Sequence, residues 1–178
     1  MQNKKGRIIA VCSAPQKGMI KHEIGEGRLI EGIGLEGDAH AGFMHRQVSL
    51  ISMEDIRTMM AKLPNLVPGS FAENLTTEGF DLGQLKIGDM LKVGETLLEV
   101  SQIGKECHSH CEVFKQTGEC IMPKKGIFTK VIKGGKVKAG DTIEFACACA
   151  AGGGPFTETG TEYEPRTSSR TRPRMLRA

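Results

Sequence analysis

Three short segments of the chain concentrate the residue types that do chemistry. The first is Gly34-Leu-Glu-Gly-Asp38-Ala-His40-Ala-Gly42, followed by His45-Arg46-Gln-Val-Ser-Leu-Ile51. Glycines let backbone amides approach an anion, an arginine grips a phosphate through two parallel hydrogen bonds, and an imidazole donates or exchanges a proton. Asp38, His40 and Arg46 therefore read as a binding loop. The same spacing also describes an ordinary turn, with Asp38 capping local amides and His40 exposed. The second segment is Val67-Pro-Gly-Ser-Phe-Ala-Glu73-Asn74-Leu75. Glu73 and Asn74 can order the amide-like edge of a ligand, but they can equally satisfy buried loop backbone, which is the commoner use of such residues.

The third segment, Gln102-Ile-Gly-Lys105-Glu-Cys107-His108-Ser-His110-Cys111, carries the candidate nucleophile. A cysteine near a helix start, with Lys105, His108 and His110 close in sequence, is expected to ionise readily, and the thiolate is the form that attacks sulfur and binds metals. A buried, inert cysteine is the plain alternative. A structural zinc held by Cys107, His108, His110 and Cys111, with Cys120 beyond, is another, although the paired spacing of standard zinc sites is missing.

These segments need a scaffold, and the rest of the sequence predicts a mainly β one. Glycine, at 23 residues, punctuates short apolar runs such as Lys86-Ile-Gly-Asp-Met-Leu-Lys-Val-Gly94, as in a chain of short strands and tight turns. Strands are expected at Arg7–Val11, Val48–Ile51 and Thr96–Ser101, the last with Leu98 and Val100 on one face and Glu99 and Ser101 on the other. The strand count predicts a barrel, which hides its edges. Ile127–Ile132 and the run from Val137 to Phe145 are expected to form a hairpin about the paired glycines of Lys133-Gly-Gly-Lys136. Ser52 and Asp55 form a capping-box pattern that opens a helix, in which Ile56, Met59, Met60 and Leu63 share one face before Pro64 stops it. A shorter helix is expected from about His110 to Gln116, ended by Gly118.

Composition narrows the setting. A length of 178 residues suits a single domain, and a net charge of +3 without clustered aromatic and basic residues argues against nucleic acid as partner. Six cysteines without an apolar segment at the start predict a reducing, cytoplasmic location, and no apolar run is long enough to cross a membrane. Residues 1–145 are expected to form the domain. Residues 146–178, where Thr, Ser, Pro, Glu and Arg take over, read as a disordered tail, either a tether or a segment never selected to fold.

The three segments, in this order, resemble the MOSC domain, the module at the C-terminus of molybdenum-cofactor sulfurases. The resemblance runs from about Arg7 to Phe145. It rests on Gly-Asp-x-His-Ala-Gly before Arg-Gln-Val-Ser-Leu, on Pro-Gly-x-x-x-Glu-Asn-Leu, on Cys107 after the strand pair punctuated by Ile87-Gly-Asp89, and on the terminal Lys138-Ala-Gly-Asp141. Gly104 to His108, Ile121-Met-Pro and Gly126-Ile-Phe128 are similar to the signature of compact stand-alone members from anaerobic bacteria. The resemblance implies a β-barrel and an association with the molybdenum cofactor (molybdopterin), a molybdenum ion held by the dithiolene of a phosphorylated pterin. It makes Cys107 the functional centre, either carrying a transferable persulfide or ligating molybdenum. By the same carry-over, Arg46 and Lys21 hold the pterin phosphate, His40 and Asp38 line the cavity, and Asn74 with Glu73 shapes the pterin edge. The implied partners are a pyridoxal-phosphate cysteine desulfurase as sulfur donor and a molybdoenzyme or cofactor-biosynthesis protein as acceptor. Three functions remain open at this level: sulfur carrier or cofactor carrier in cofactor maturation, molybdenum-dependent reductase of N-hydroxylated compounds, and zinc-stabilised non-enzymatic module.

Overall fold

The computed structural model describes residues 5–105 and 112–146. Its centre is a barrel of seven strands: β1 (Lys5–Ser13), β5 (Val48–Ser52), β6 (Leu75–Glu78), β7 (Met90–Val93), β8 (Thr96–Ile103), β9 (Ile127–Lys133) and β11 (Thr142–Ala146). Around the barrel β1 pairs with β11, then β7, β8, β9, β5 and β6 follow, and β6 returns to β1. An odd ring of strands cannot alternate direction all the way round. One neighbouring pair must be parallel, and here it is β5 and β6. A parallel pair needs a long crossover. Helix α1 (Met53–Met60) supplies it, together with the loop carrying Glu73 and Asn74.

Alternating apolar residues fill the barrel. On β8, Leu98 and Val100 are buried whereas Glu99 and Ser101 are only partly covered, as their alternation requires. Ile8, Leu50, Leu75, Leu91, Ile127 and Ile143 join the same core. A second core lies outside the barrel, where Ile56 and Met59 of α1 pack with Leu66, Phe71, Met122 and Phe128. It is this second core that floors the site described below.

Helix α1 begins as its sequence dictates. The Ser52 hydroxyl accepts the Asp55 N–H at 3.1 Å and donates to the Asp55 carboxylate at 2.7 Å. The helix is shorter than its apolar pattern, ending at Met60, although Met60 and Leu63 still pack on the second core. Two turns share one device: Asp89 accepts the Lys86 N–H at 2.8 Å and Asp141 accepts the Lys138 N–H at 2.9 Å. The Gly-Asp pairs of the sequence are thus barrel corners.

The expected hairpin about Gly134 and Gly135 is not formed. β9 pairs with β8 and β5, while β10 (Gly135–Lys138) leaves the barrel to pair with β3 (Glu26–Ile30), which in turn pairs with β4 (Gly34–Leu35). The glycines serve close approach instead, since a Cβ on Gly134 would stand 2.6 Å from the Leu29 carbonyl oxygen. β2 (His22–Glu23) extends β1 at its end. The short helices α2 (Glu112–Thr117) and α3 (Met122–Lys125) follow β8, and Gly118, at φ +73°, ends α2 as expected. His110 and Cys111, the expected start of α2, lie outside the described residues, as does the tail from residue 147.

Candidate functional site

A cavity of about 380 Å³ opens between the loop that follows β1, the loop that precedes β5, the crossover loop and the start of β9. Lys21, His40, Arg46 and Asn74, drawn from separate parts of the sequence, all line it. Asp38 and Glu73 stand behind the wall as its supports.

Asp38 is the hub of the first loop. Its Oδ1 accepts from the Lys21 ammonium at 2.9 Å and from the His40 backbone N–H at 3.0 Å. Its Oδ2 accepts from the Ala14 N–H at 3.2 Å and the Ser13 hydroxyl at 3.3 Å. Burial opposes ionisation of this carboxyl, but the His40 side chain and N–H and the Lys21 ammonium outweigh it and hold Asp38 well below the usual carboxylate range. Burial pushes the Lys21 ammonium down from its ordinary value, and Asp38 opposes that shift. Both side chains are 1% exposed, so the charge of Lys21 is committed to Asp38.

Glu73 and Asn74 organise the second loop. The Glu73 carboxylate accepts the Gly69 N–H at 2.6 Å, the Phe71 N–H at 3.1 Å and the Thr76 hydroxyl at 2.9 Å. Asn74 mimics a strand: its Oδ1 accepts the Ser49 N–H at 3.2 Å and its Nδ2 donates to the Cys12 carbonyl at 3.3 Å, joining β5 to β1. Both residues satisfy buried backbone, and Asn74 also reaches the cavity.

Gly69 locks the two loops together. Its carbonyl accepts the Lys21 N–H at 3.1 Å, its φ is +90°, and a Cβ there would lie 2.1 Å from the Lys21 carbonyl oxygen. Gly69→Ala is therefore expected to destabilise the protein by about 3 kcal/mol, because backbone strain and a steric clash coincide. Gly18→Ala, at φ +83° in open space, should cost only about 1–2 kcal/mol. Thermal melts of the two variants check the difference, and equal midpoints would remove Gly69 from this role.

Arg46 sits just before β5. Its guanidinium lies over the Phe43 ring at 4.8 Å and the Phe128 ring at 5.9 Å, and Lys17 stands over Phe43 at 5.0 Å. Lys105 reaches the same cavity from the end of β8. Among the described residues Arg46, Lys17 and Lys105 have no carboxylate partner, and no acidic side chain lines the cavity. Besides the uncharged polar groups of Ser49, Ser70 and Asn74, the wall carries apolar and aromatic side chains, Met19, Ile20, Phe71 and Met122 among them. Such a cavity favours an anion with a flat or apolar body.

The sequence reading missed Lys17 and the place of the two rings beside Arg46, while Cys120, named there as a further zinc ligand, lines the cavity. Lys17 had only a neighbouring glycine to mark its loop, and Phe128 lies far along the chain from Arg46. Lys105 was singled out as a neighbour of Cys107, and its place on the wall is new.

Cys107, with His108, His110 and Cys111, lies outside the described residues; in sequence order it falls after Lys105, which lines the cavity, and before Val113, which belongs to the second core. Among the described residues no group of three or more His, Cys, Asp or Glu could hold a metal ion. Cys12 is a different kind of thiol: burial and the nearby Glu73 and Glu23, against Lys21, push it up to about 12, leaving it neutral and inert. No helix among the described residues is long and apolar enough to cross a membrane.

Comparison with known proteins agrees with this architecture. The chain is 27% identical to Protein YiiM of Escherichia coli (strain K12), over 78% of this chain and 68% of that protein. The solved YUAD protein from Bacillus subtilis superposes with a TM-score of 0.67 at 21% identity, covering 79% of this chain and 95% of that one. YiiM from Escherichia coli superposes with a TM-score of 0.58 at 25% identity, covering 80% and 70%. The family model described as the MOSC domain matches residues 37–144, from the Asp38 loop to the closing strand β11. That match spans most of the barrel and, apart from the 17–21 loop, the residues that line the cavity, and it places this chain in the MOSC domain family.

Proposed function

We propose that the chain holds the molybdenum cofactor in this cavity and acts on it through Cys107, as a carrier in cofactor maturation or sulfuration. The MOSC family is associated with the molybdenum cofactor. One observation carries the proposal here: Arg46, Lys17 and Lys105, without acidic partners among the described residues, face a cavity whose wall also carries the rings of Phe43, Phe71 and Phe128 and several apolar side chains. A phosphorylated pterin offers the matching chemistry, an anionic end and a flat ring system. The volume of about 380 Å³ falls in the range of roughly 300–1,000 Å³ typical of small-molecule sites.

In this reading Arg46 takes the phosphate through paired N–H donors, and Lys17 and Lys105 add charge. Lys21 acts at one remove, by fixing Asp38, and Glu73 and Asn74 shape the wall. When bound, the cofactor supplies a redox-active metal centre with soft sulfur ligands. A thiolate at Cys107 suits either role proposed for it, because soft sulfur ligates such a metal and also accepts sulfane sulfur. In the second role the Cys107 thiolate attacks the outer sulfur of a donor persulfide. A new S–S bond forms as the donor's S–S bond breaks and the donor thiolate leaves, so no oxidant or reductant is consumed. A pyridoxal-phosphate cysteine desulfurase is the donor of the right chemistry.

Elemental analysis of the protein purified from cofactor-proficient cells tests the proposal. The wild-type chain should carry molybdenum, and incubation with a cysteine desulfurase and ³⁵S-cysteine should label Cys107. Cys107→Ser separates the two roles: loss of label with retained molybdenum identifies a sulfur carrier, and loss of both identifies a metal ligand. Wild-type protein with neither molybdenum nor label, or with stoichiometric zinc instead, overturns the proposal.

A further inference from the structure

We infer that Asp38 and His40 form a carboxylate–imidazole dyad that presents the His40 Nε2 to the cavity as a proton-exchanging group. The inference rests on the cavity being a ligand site, as proposed above, but not on which ligand it takes. His40 Nδ1 is a buried polar atom with no hydrogen bond, and it stands 3.5 Å from Asp38 Oδ1. The ring is nevertheless 32% exposed and lines the cavity. With Nδ1 buried, the exposure belongs to the rest of the side chain, and Nε2 is not among the buried atoms that lack a partner.

Asp38 cannot move to close the gap. Donors from Ser13, Ala14, Lys21 and the His40 backbone hold both of its oxygens. The ring must do so instead, moving from 3.5 Å to the usual ~2.9 Å. The chemistry of the contact fixes its proton. An ionised carboxylate only accepts hydrogen bonds, so a bare Nδ1 lone pair facing it would set two acceptors against each other in a buried place. The neutral ring therefore carries its hydrogen on Nδ1, and the lone pair of Nε2 faces the cavity.

This arrangement exchanges a proton without disturbing the pair behind it. Protonation at Nε2 gives an imidazolium that donates to an anionic oxygen of the ligand. Transfer of that proton breaks the Nε2–H bond, forms an O–H bond on the ligand and returns the ring to its neutral Nδ1–H form. The reverse step removes a proton from the ligand. No electron changes hands. Asp38 is a positioning residue, and Lys21 keeps it ionised, which gives the buried lysine a purpose that phosphate binding does not.

The full chain labelled with ¹⁵N-histidine tests the dyad, with the His40 signals assigned by their loss in His40→Gln. For the neutral ring of the wild-type protein, we expect a pyrrole-like Nδ1 and a pyridine-like Nε2. Asp38→Asn should shift the population toward the Nε2–H form, and if that variant does not fold, the wild-type spectrum alone decides. A wild-type ring with its hydrogen on Nε2 overturns the inference. So does a native His40 that diethyl pyrocarbonate leaves unmodified while it modifies the exposed His22, because Nε2 would then be closed to the cavity. Absence of molybdenum from the protein would sink the cofactor reading and leave the dyad standing.

Discussion

Replacing Lys21 by methionine is expected to lower the stability of the protein by about 3–5 kcal/mol, a fall in melting temperature of roughly 6–20 °C for a chain of this size. The size follows from what remains. Methionine fills most of the space, but the Asp38 carboxylate, 1% exposed, loses the ammonium it faces at 2.9 Å. An isolated buried charge costs far more than the pair contributes. The pH dependence has a definite sign. The folded-state pKa of Asp38 lies below its unfolded value, so the stability it contributes is present above the ordinary carboxylate range and is lost as pH falls through the folded pKa. In Lys21→Met the stranded carboxylate takes up a proton at higher pH than in the wild type, which relieves the defect. The gap between the two proteins should thus be widest above about pH 5 and narrow toward pH 3. Combining Lys21→Met with Asp38→Asn should cost less than the sum of the single changes. Additive losses, or a gap that widens in acid, would show that the two groups are not coupled.

That pair also marks where the sequence could and could not be read. Strand β8 was legible because Leu98 and Val100 alternate with Glu99 and Ser101 and one face must be buried. The start of α1 was legible because Ser52 and Asp55 act on each other three residues apart. Both are local patterns with one physical outcome. The Gly134-Gly135 pair is also local, yet glycine serves a tight turn and a close approach equally well. Only the position of the Leu29 carbonyl, a hundred residues earlier, selects the second.

The site shows the same limit. Asp38, His40, Arg46 and Asn74 could be picked out by residue type and by glycine spacing, because few chemistries need that combination. Their division of labour was not legible. Lys21 reads as a phosphate ligand until it is seen facing Asp38. Glu73 reads either as a ligand contact or as a partner of loop backbone until Gly69, Phe71 and Thr76 are seen to use its two oxygens. These roles depend on which loop lies beside which, and the closure of the barrel decides that, not the local sequence.

Arg46→Glu is the change expected to do most to ligand capture, and it should do so while leaving the fold intact. The guanidinium rests on Phe43 and Phe128 at the cavity wall without a carboxylate partner among the described residues. Contacts of this kind at a partly exposed site contribute only about 0.5–1 kcal/mol, so the melting temperature should change little. For an anionic ligand the case is different. A charge-assisted hydrogen bond is worth about 1.5–3 kcal/mol, so Arg46→Ala should weaken retention of the cofactor by roughly tenfold to a hundredfold. Glutamate adds repulsion of a like charge and should leave no measurable molybdenum on the purified protein. Arg46→Lys keeps the charge but loses the planar pair of donors, and an intermediate molybdenum content is expected. The order wild type, lysine, alanine, glutamate is the informative result, because a fold defect would not rank variants by charge and geometry. Full molybdenum occupancy in Arg46→Glu would mean that the phosphate end of the ligand lies elsewhere, and the cationic cavity would lose its assigned role.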